Sequence, residues 1–273
     1  MDGLILKPAA LRKIKAEIAS GIRKKVASSA AKGVVVGLSG GIDSSVAAKI
    51  ARDARVDVYG LMMPETGVSA ARDLEDAINL AEKLKIRYHV IGLDRILTSV
   101  RNSFMWKDFP KNRLRSWGNV KARARMTLLY LTANLDNRLV LGTGNRTELL
   151  LGYFTKYGDG GVDLLPIGGL YKTQVRQLAR YVGMPESICR KTPTAGLWLG
   201  QTDEGEIGLE YSKVDAVLHL LYDKGLPLNK TAERTKLPES RVRQIKRRVG
   251  VNRHKREMPE IINPMGYLLI PNL

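Results

Sequence analysis

Asp43 sits in the run Gly37-Leu38-Ser39-Gly40-Gly41-Ile42-Asp43-Ser44-Ser45, which joins the apolar Val34-Val35-Val36 to Val46-Ala-Ala-Lys-Ile50. Three glycines let the backbone bend and approach a ligand without Cβ clashes. Ser39, Ser44, Ser45 and the free N–H groups at the start of the following helix supply donors, and the helix dipole favours an anion there. Together they describe a phosphate cradle. Asp43 complicates it, because a carboxylate beside phosphate repels it unless a divalent cation lies between them. The residue types therefore specify a metal-assisted polyphosphate site. It is neither a Walker A loop, since no Gly-Lys-Ser/Thr follows, nor a dinucleotide fingerprint, since Gly-x-Gly-x-x-Gly is absent.

A second block, Leu141-Gly-Thr-Gly-Asn-Arg-Thr-Glu148, also leaves a strand through glycines into a helix. It should emerge at the same carboxyl edge of the sheet, where open α/β sheets bind ligands. Thr143 is then placed to touch a nucleotide. Glu148, one turn into its helix, is open to two readings: a second hard oxygen ligand for Mg²⁺ beside Asp43, or an ordinary N-terminal carboxylate answering the helix dipole. A third block, Gly152-Tyr-Phe-Thr-Lys-Tyr-Gly-Asp-Gly-Gly-Val-Asp163, mixes glycine, aromatic and charged residues as binding loops do.

Ser-Gly-Gly-x-Asp-Ser resembles the PP-loop of the N-type ATP pyrophosphatases, which cut ATP between the α and β phosphates. With Gly-Thr-Gly-Asn-Arg-Thr-Glu148, the Phe154-Thr-Lys-Tyr-Gly-Asp-Gly-Gly161 stretch, Lys191-Thr-Pro-Thr-Ala195, Gly200-Gln-Thr-Asp-Glu-Gly-Glu206 and His254-Lys-Arg256, the chain resembles the ammonia-dependent NAD synthetases over roughly residues 10–258. The resemblance implies a homodimer that joins deamido-NAD, ATP and ammonia into NAD, AMP and pyrophosphate. It assigns ATP contacts to Gly37, Leu38, Ser39, Gly40, Gly41, Ile42, Asp43, Ser44, Thr143, Lys172 and Thr194. It assigns Mg²⁺ to Asp43 and Glu148, and deamido-NAD contacts to Arg123, Lys156, Asp163, His254 and Lys255. Asp43 and Lys172 are the implied catalytic pair. One departure is Gly196, where bacterial members often carry Asp after Pro-Thr-Ala.

The chemistry suits those roles. A nicotinate carboxylate is a poor electrophile until it acquires a leaving group. Its attack on the α-phosphorus of ATP makes an acyl-adenylate and expels pyrophosphate, a step governed by positioning and electrostatics. Ammonia then displaces AMP, and a closed lid protects the adenylate from water. Asp203 and Glu204 are candidates for the base that deprotonates the nitrogen, although exposed loop acids are the plainer reading of both.

The elements that must position these residues alternate. Leu11, Ile14, Ile18, Ile22 and Val26 mark an amphipathic helix over 8–30. Strands are predicted at Val34–Val36, Val56–Met63, Arg87–Leu93 and Arg138–Gly142, with helices after the first loop, around Leu74–Leu84, over Val120–Leu135 and over Lys172–Tyr181. The pattern predicts an α/β fold: a doubly wound parallel sheet, Rossmann-like, with helices on both faces and a helical C-terminal appendage. Residues 106–118 read as an exposed loop. Residues 192–211 lack periodicity and read as a lid loop between an α/β core (1–191) and a helical part (212–273), all within one domain. Helices are expected at Val214–Leu221, Thr231–Lys236 and Glu239–Val249.

The single cysteine, Cys189, excludes an intramolecular disulfide and a cysteine-built zinc site. No apolar run approaches the ~20 residues of a membrane span, and Met1–Pro8 has no secretory pattern. The expected compartment is the cytoplasm. A net charge of +18 raises the question of nucleic acid, since Lys230 to Arg256 carries eleven Lys/Arg against two Glu. The main alternative is a PP-loop enzyme that adenylates a base on tRNA. Thiolases of that kind generally need paired cysteines or a cysteine-bound cluster, and Tyr153–Gly161 is not an RNA platform. Thr231–Arg248 has helix-turn-helix spacing, but two short helices meeting at a Leu-Pro turn produce it readily. The balance argues against a nucleic-acid partner. No glutaminase module is evident, so ammonia is the expected nitrogen donor.

Overall fold

In the computed structural model, which describes residues 3–103, 113–262 and 264, four parallel strands form one sheet in the order β3-β2-β1-β4. These are β1 (Gly33–Gly37), β2 (Asp57–Met62), β3 (Arg87–Val90) and β4 (Arg138–Leu141). Val34 lies opposite Val58 on one side and Leu139 on the other. The β-branched run Val34–Val36 is completely buried, as a central strand covered on both faces must be.

One face of the sheet packs through Val34, Val36, Val58 and Met62 against α1 (Pro8–Ser28), α2 (Ile42–Asp53), α3 (Ala71–Lys83), α7 (Lys172–Tyr181) and α8 (Glu186–Cys189). Leu11 and Ile22 of α1 reach the core, with Ile14, Ile18 and Val26 packed at its edge. The other face carries Val35, Leu61 and Val140 against Ala133, Leu128 and Leu129 of α5 (Leu114–Asp136), with α4 (Asp94–Ser103) alongside α5. The long α5 stops where Asn137 turns left-handed at φ 51°.

β1 has β2 on one side and β4 on the other, so the strand order reverses at β1. The loops leaving β1 and β4 therefore diverge around one crevice at the carboxyl edge of the sheet, the usual ligand position in such folds. Behind it stand α6 (Arg146–Leu151) and the C-terminal helices α10 (Tyr211–Leu218), which runs on through a π turn (His219–Asp223), α11 (Leu228–Thr235) and α12 (Glu239–Val251). These helices share a core with Leu4, Leu151 and Tyr171, so they are packed into the α/β part rather than hung from it.

Three sequence expectations need correction. Of the loop expected at 106–118, residues 106–112 lie outside the described residues, and from Leu114 the chain is already helical. Gly118 sits inside the helix because Leu197 and Trp198 press against it, and an added Cβ would meet Leu197 at 3.1 Å. The segment 192–211 is not wholly irregular, because Thr202 accepts a hydrogen bond from the Gly205 N–H and caps a short helix, α9 (Asp203–Ile207). The helix expected at Thr231–Lys236 begins earlier, at Leu228, behind Pro227, and ends with Lys236 left-handed at φ 54°.

Candidate active site

The loop after β1 turns through Gly40 at φ +72°, where a Cβ would fall 2.1 Å from the Asp73 carbonyl oxygen. Only glycine fits that approach to α3. The turn is clamped from outside: the Lys191 ammonium donates to the Gly40 carbonyl at 2.9 Å and pairs with Asp73 and Asp76 of α3, each at 2.6 Å. Gly41 caps α2 without a side-chain hydrogen bond, leaving first-turn N–H groups for a ligand. The Ser44 hydroxyl accepts from the Ser39 N–H at 3.3 Å and lies 3.2 Å from the Ser39 hydroxyl, so the two serines fold over the turn.

The loop after β4 meets the first loop through Asn145, a fully buried residue. Its side-chain oxygen accepts from the Glu148 N–H at 3.0 Å, and its amide nitrogen donates to Asp43 at 3.1 Å. Glu148 does two things at once. Its Oε2 accepts from the Asn145 N–H at 3.1 Å, completing a capping box on α6, while Oε1 lies 3.3 Å from the Lys172 ammonium. Lys172 is also ion-paired with Asp43. Two carboxylates thus converge on one buried cation.

Burial pushes the Glu148 carboxyl up to about 8, with Lys172 opposing the rise and Asp43 adding to it. Burial alone would lower the Lys172 pKa, but the charges of Asp43 and Glu148 outweigh it and hold the amine above its ordinary value. Lys172 is itself fixed at the first position of α7. Its N–H donates to the Thr147 hydroxyl at 3.0 Å, which donates at 2.6 Å to the fully buried Asp215 of α10; Asp215 also accepts from the Thr173 N–H at 2.8 Å.

Asp203 is buried at the start of α9, where the Tyr153 and Tyr211 hydroxyls donate to it at 3.1 and 3.0 Å. Burial raises its pKa, against the pull of Lys172. The expectation of an exposed loop acid is therefore corrected for Asp203. Glu204 instead accepts from the Tyr211 N–H at 3.0 Å.

These groups surround a cleft of about 1440 Å³, roomier than the ~300–1,000 Å³ of a typical small-molecule pocket. Gly37, Leu38, Ser39, Gly41, Ile42, Asp43, Ser44, Thr143, Glu148, Lys172, Thr194 and Lys255 line it, and Gly40 sits behind the loop against α3. Arg123, Lys156, Asp163 and His254 are not on its wall. Lys156 donates to the His254 carbonyl at 2.7 Å, and Arg123 to the Lys156 carbonyl at 3.2 Å. Asp163 accepts from the Val140 N–H at 2.7 Å and from the Tyr130 hydroxyl at 3.2 Å, which ties it to β4 and α5. Lys255 reaches the cleft while donating to the carbonyls of Gly152 and Phe154 at 2.7 and 2.8 Å. Sequence reasoning passed over Asn145, Lys191 and Asp215. For Asn145 the signal was present, since Asn-x-x-Glu at a helix start is a capping-box pattern.

Comparison with known proteins decides among the enzymes that such a cleft could serve. The family model described as NAD synthase matches residues 14–259. The chain belongs to the NAD synthase family. It is 47% identical over 242 residues to the NH(3)-dependent NAD(+) synthetase of Methanosarcina mazei, covering 88% of this chain and 93% of that one. Among solved structures, the NH3-dependent NAD synthetase of Campylobacter jejuni, in complex with the nitrate ion, is similar at TM-score 0.77 and 36% identity, over 93% of this chain and 99% of that one. The NMN synthetase of Francisella tularensis is similar at TM-score 0.78 and 33% identity, over 95% of this chain and all of that one (100%). The parallel sheet and its helices are those of this class.

Proposed function

We infer that the chain amidates deamido-NAD with ammonia at the expense of ATP, releasing AMP and pyrophosphate. The observation that carries this reading is the meeting of the two loops: Asp43 and Glu148 on one buried ammonium, beside a phosphate cradle, in a chain of this family. The tRNA-modifying alternative finds no support in the comparisons.

The carboxylate of the substrate attacks the α-phosphorus of ATP, forming the acyl–phosphate bond as the bond to pyrophosphate breaks. The Gly37–Ser44 amides and hydroxyls hold the departing pyrophosphate, and Lys172 offsets its charge. Asp43 and Glu148 fit a Mg²⁺ ion, because they are hard oxygen donors that already converge on a cation, the Lys172 ammonium. When bound there, the ion would neutralise charge on the phosphates. Ammonia next attacks the acyl carbon, and AMP leaves. We assign to Asp203, which lines the cleft, accepts from the Tyr153 and Tyr211 hydroxyls and is raised by burial, the proton that the attacking nitrogen sheds.

Of the five residues expected to contact deamido-NAD, Lys255 lines the cleft, and we assign the dinucleotide to that end of it. A homodimer is supported by α5, which exposes Leu131 and Leu135 on its outer side. Among the described residues no helix is long and apolar enough to cross a membrane. Because one similar structure is an NMN synthetase, the test offers two acceptors. The chain is incubated with ATP, Mg²⁺ and ammonium plus either deamido-NAD or nicotinate mononucleotide. NAD with matching AMP and pyrophosphate is expected from the first. A higher kcat/KM with the mononucleotide would reassign the acceptor, and release of ADP would refute the reaction.

A further inference from the structure

Beyond the residues that touch ATP or the nicotinate, α5 carries a buried cation without a place in the mechanism. Lys121 is 4% exposed. Its ammonium pairs with Glu65, in the segment after β2, at 2.7 Å and donates to the Leu197 carbonyl of the 192–211 segment, also at 2.7 Å. A buried amine must be compensated in this way, and one of its two partners here is the backbone of the 192–211 lid segment.

The surroundings make the same contact from the apolar side. Leu197 and Trp198 lie against Gly118, one turn before Lys121, where a Cβ would meet Leu197 at 3.1 Å and Trp198 at 3.3 Å. The Leu197 N–H donates to Gln201 at 2.8 Å, and Gln201 donates to Glu206 at 2.8 Å, which accepts from the Tyr153 hydroxyl at 2.7 Å. The lid backbone is therefore gripped at Leu197 and continued by hydrogen bonds to the acids at the cleft wall. At its turn, Gly196 takes φ +59°, a conformation that an Asp would adopt only with strain.

We propose that Lys121, seated by Glu65 and admitted by Gly118, is a latch that holds the lid shut over the acyl-adenylate and so decides between ammonia and water. This rests on the functional reading above. If water enters, its oxygen bonds to the acyl carbon, the bond from that carbon to the AMP oxygen breaks, and AMP leaves with its electron pair. The carboxylate of deamido-NAD is regenerated with loss of a proton, and ATP has been spent without an amide. Lys121 touches no reacting atom in this scheme; it is a positioning residue whose failure appears as waste.

The measurement is AMP released per amide formed, at sub-saturating ammonium, for the full chain with deamido-NAD, ATP and Mg²⁺. Lys121→Met combined with Glu65→Gln removes the latch without leaving a buried charge unpaired. Gly118→Val leaves that pair intact and pushes the lid off its seat, so it carries the test should the double variant not fold. Loss of a charge-assisted hydrogen bond moves a two-state equilibrium by roughly tenfold. The ratio is expected to be about 1 in the parent and to rise about threefold or more in the variants. It should fall back toward the parent value as ammonium is raised, because amine and water compete for one carbon. Variants that lose AMP and amide in equal proportion, or that keep the parent ratio at low ammonium, overturn the latch. A parent chain that makes no amide overturns the functional reading and the latch with it.

Discussion

Asn145 offers the sharpest separation of architecture from chemistry, because one buried side chain serves both. Its oxygen caps α6 and its nitrogen holds Asp43. Asn145→Ala removes an N-cap, worth about 1 kcal/mol, and a hydrogen bond to a charged group, worth about 1.5–3 kcal/mol. The sum, roughly 2–4 kcal/mol, corresponds to a fall in Tm of about 5–10 °C for a chain of this size. Asn145→Asp behaves differently. Aspartate caps a helix as well as asparagine does, so α6 keeps its start. The new carboxylate, however, faces Asp43 where the amide stood at 3.1 Å. Two unit charges at that distance repel by roughly 5 kcal/mol at an effective dielectric of 20, until one of them protonates. Asn145→Asp should therefore disturb the site more than the fold, with turnover down ~10²-fold, the scale of losing one preorganised electrostatic contact. Calorimetry and steady-state NAD formation on the parent and both variants give the comparison. Asn145→Ala melting within about 1 °C of the parent, or Asn145→Asp turning over at the parent rate, would refute the account of this junction.

Three more outcomes follow from the same geometry. Asp43→Asn preserves shape but removes a carboxylate from the Lys172 pair, and turnover at saturating Mg²⁺ should drop ~10²-fold or more; a near-parental rate would exclude Asp43 from the reaction. Glu148 is raised from 4.5 to about 8 on folding, so its stabilising contribution is full below pH 4.5 and is lost as pH rises through about 8. Without Mg²⁺, the parent should thus lose stability across that window and Glu148→Gln should lose less, whereas parallel pH profiles in thermal melts would contradict the buried assignment. Lys191→Met removes the clamp on Gly40 and leaves Asp73 and Asp76 to repel each other; KM for ATP should rise about tenfold while KM for deamido-NAD stays within about twofold, and equal changes in both would point to general loosening instead.

The phosphate loop was legible because its chemistry is local: Gly37 to Ser45 are contiguous, and the β-branched run before a glycine turn reads as a buried strand. The sheet followed from alternating periods in the same way. Gly118 shows where local reasoning stops. A glycine beside charges reads as loop, and only Leu197 and Trp198 of the lid, distant in sequence, explain a glycine inside α5 by pressing on Gly118. Asp203 was missed in part for the same reason, since one of the two tyrosines that hold it, Tyr153, lies 50 residues away, while Tyr211 lies only 8 residues on. Asp215 carried no sequence signal at all; its role exists only because α10 packs across the start of α7. Arg123, Lys156, Asp163 and His254 came from resemblance alone, and their position off the cleft wall could not be read from spacing.

The central claim is that the carboxylate oxygen of the substrate attacks phosphorus before nitrogen arrives. Deamido-NAD labelled with ¹⁸O in its nicotinate carboxylate, turned over with ATP, Mg²⁺ and ammonium, tests this directly by mass spectrometry of the nucleotides. The account predicts that each AMP carries one carboxylate oxygen, because the acyl–oxygen bond breaks when ammonia displaces AMP, and that pyrophosphate carries none. Label in phosphate or pyrophosphate, or unlabelled AMP accompanying NAD, would contradict it.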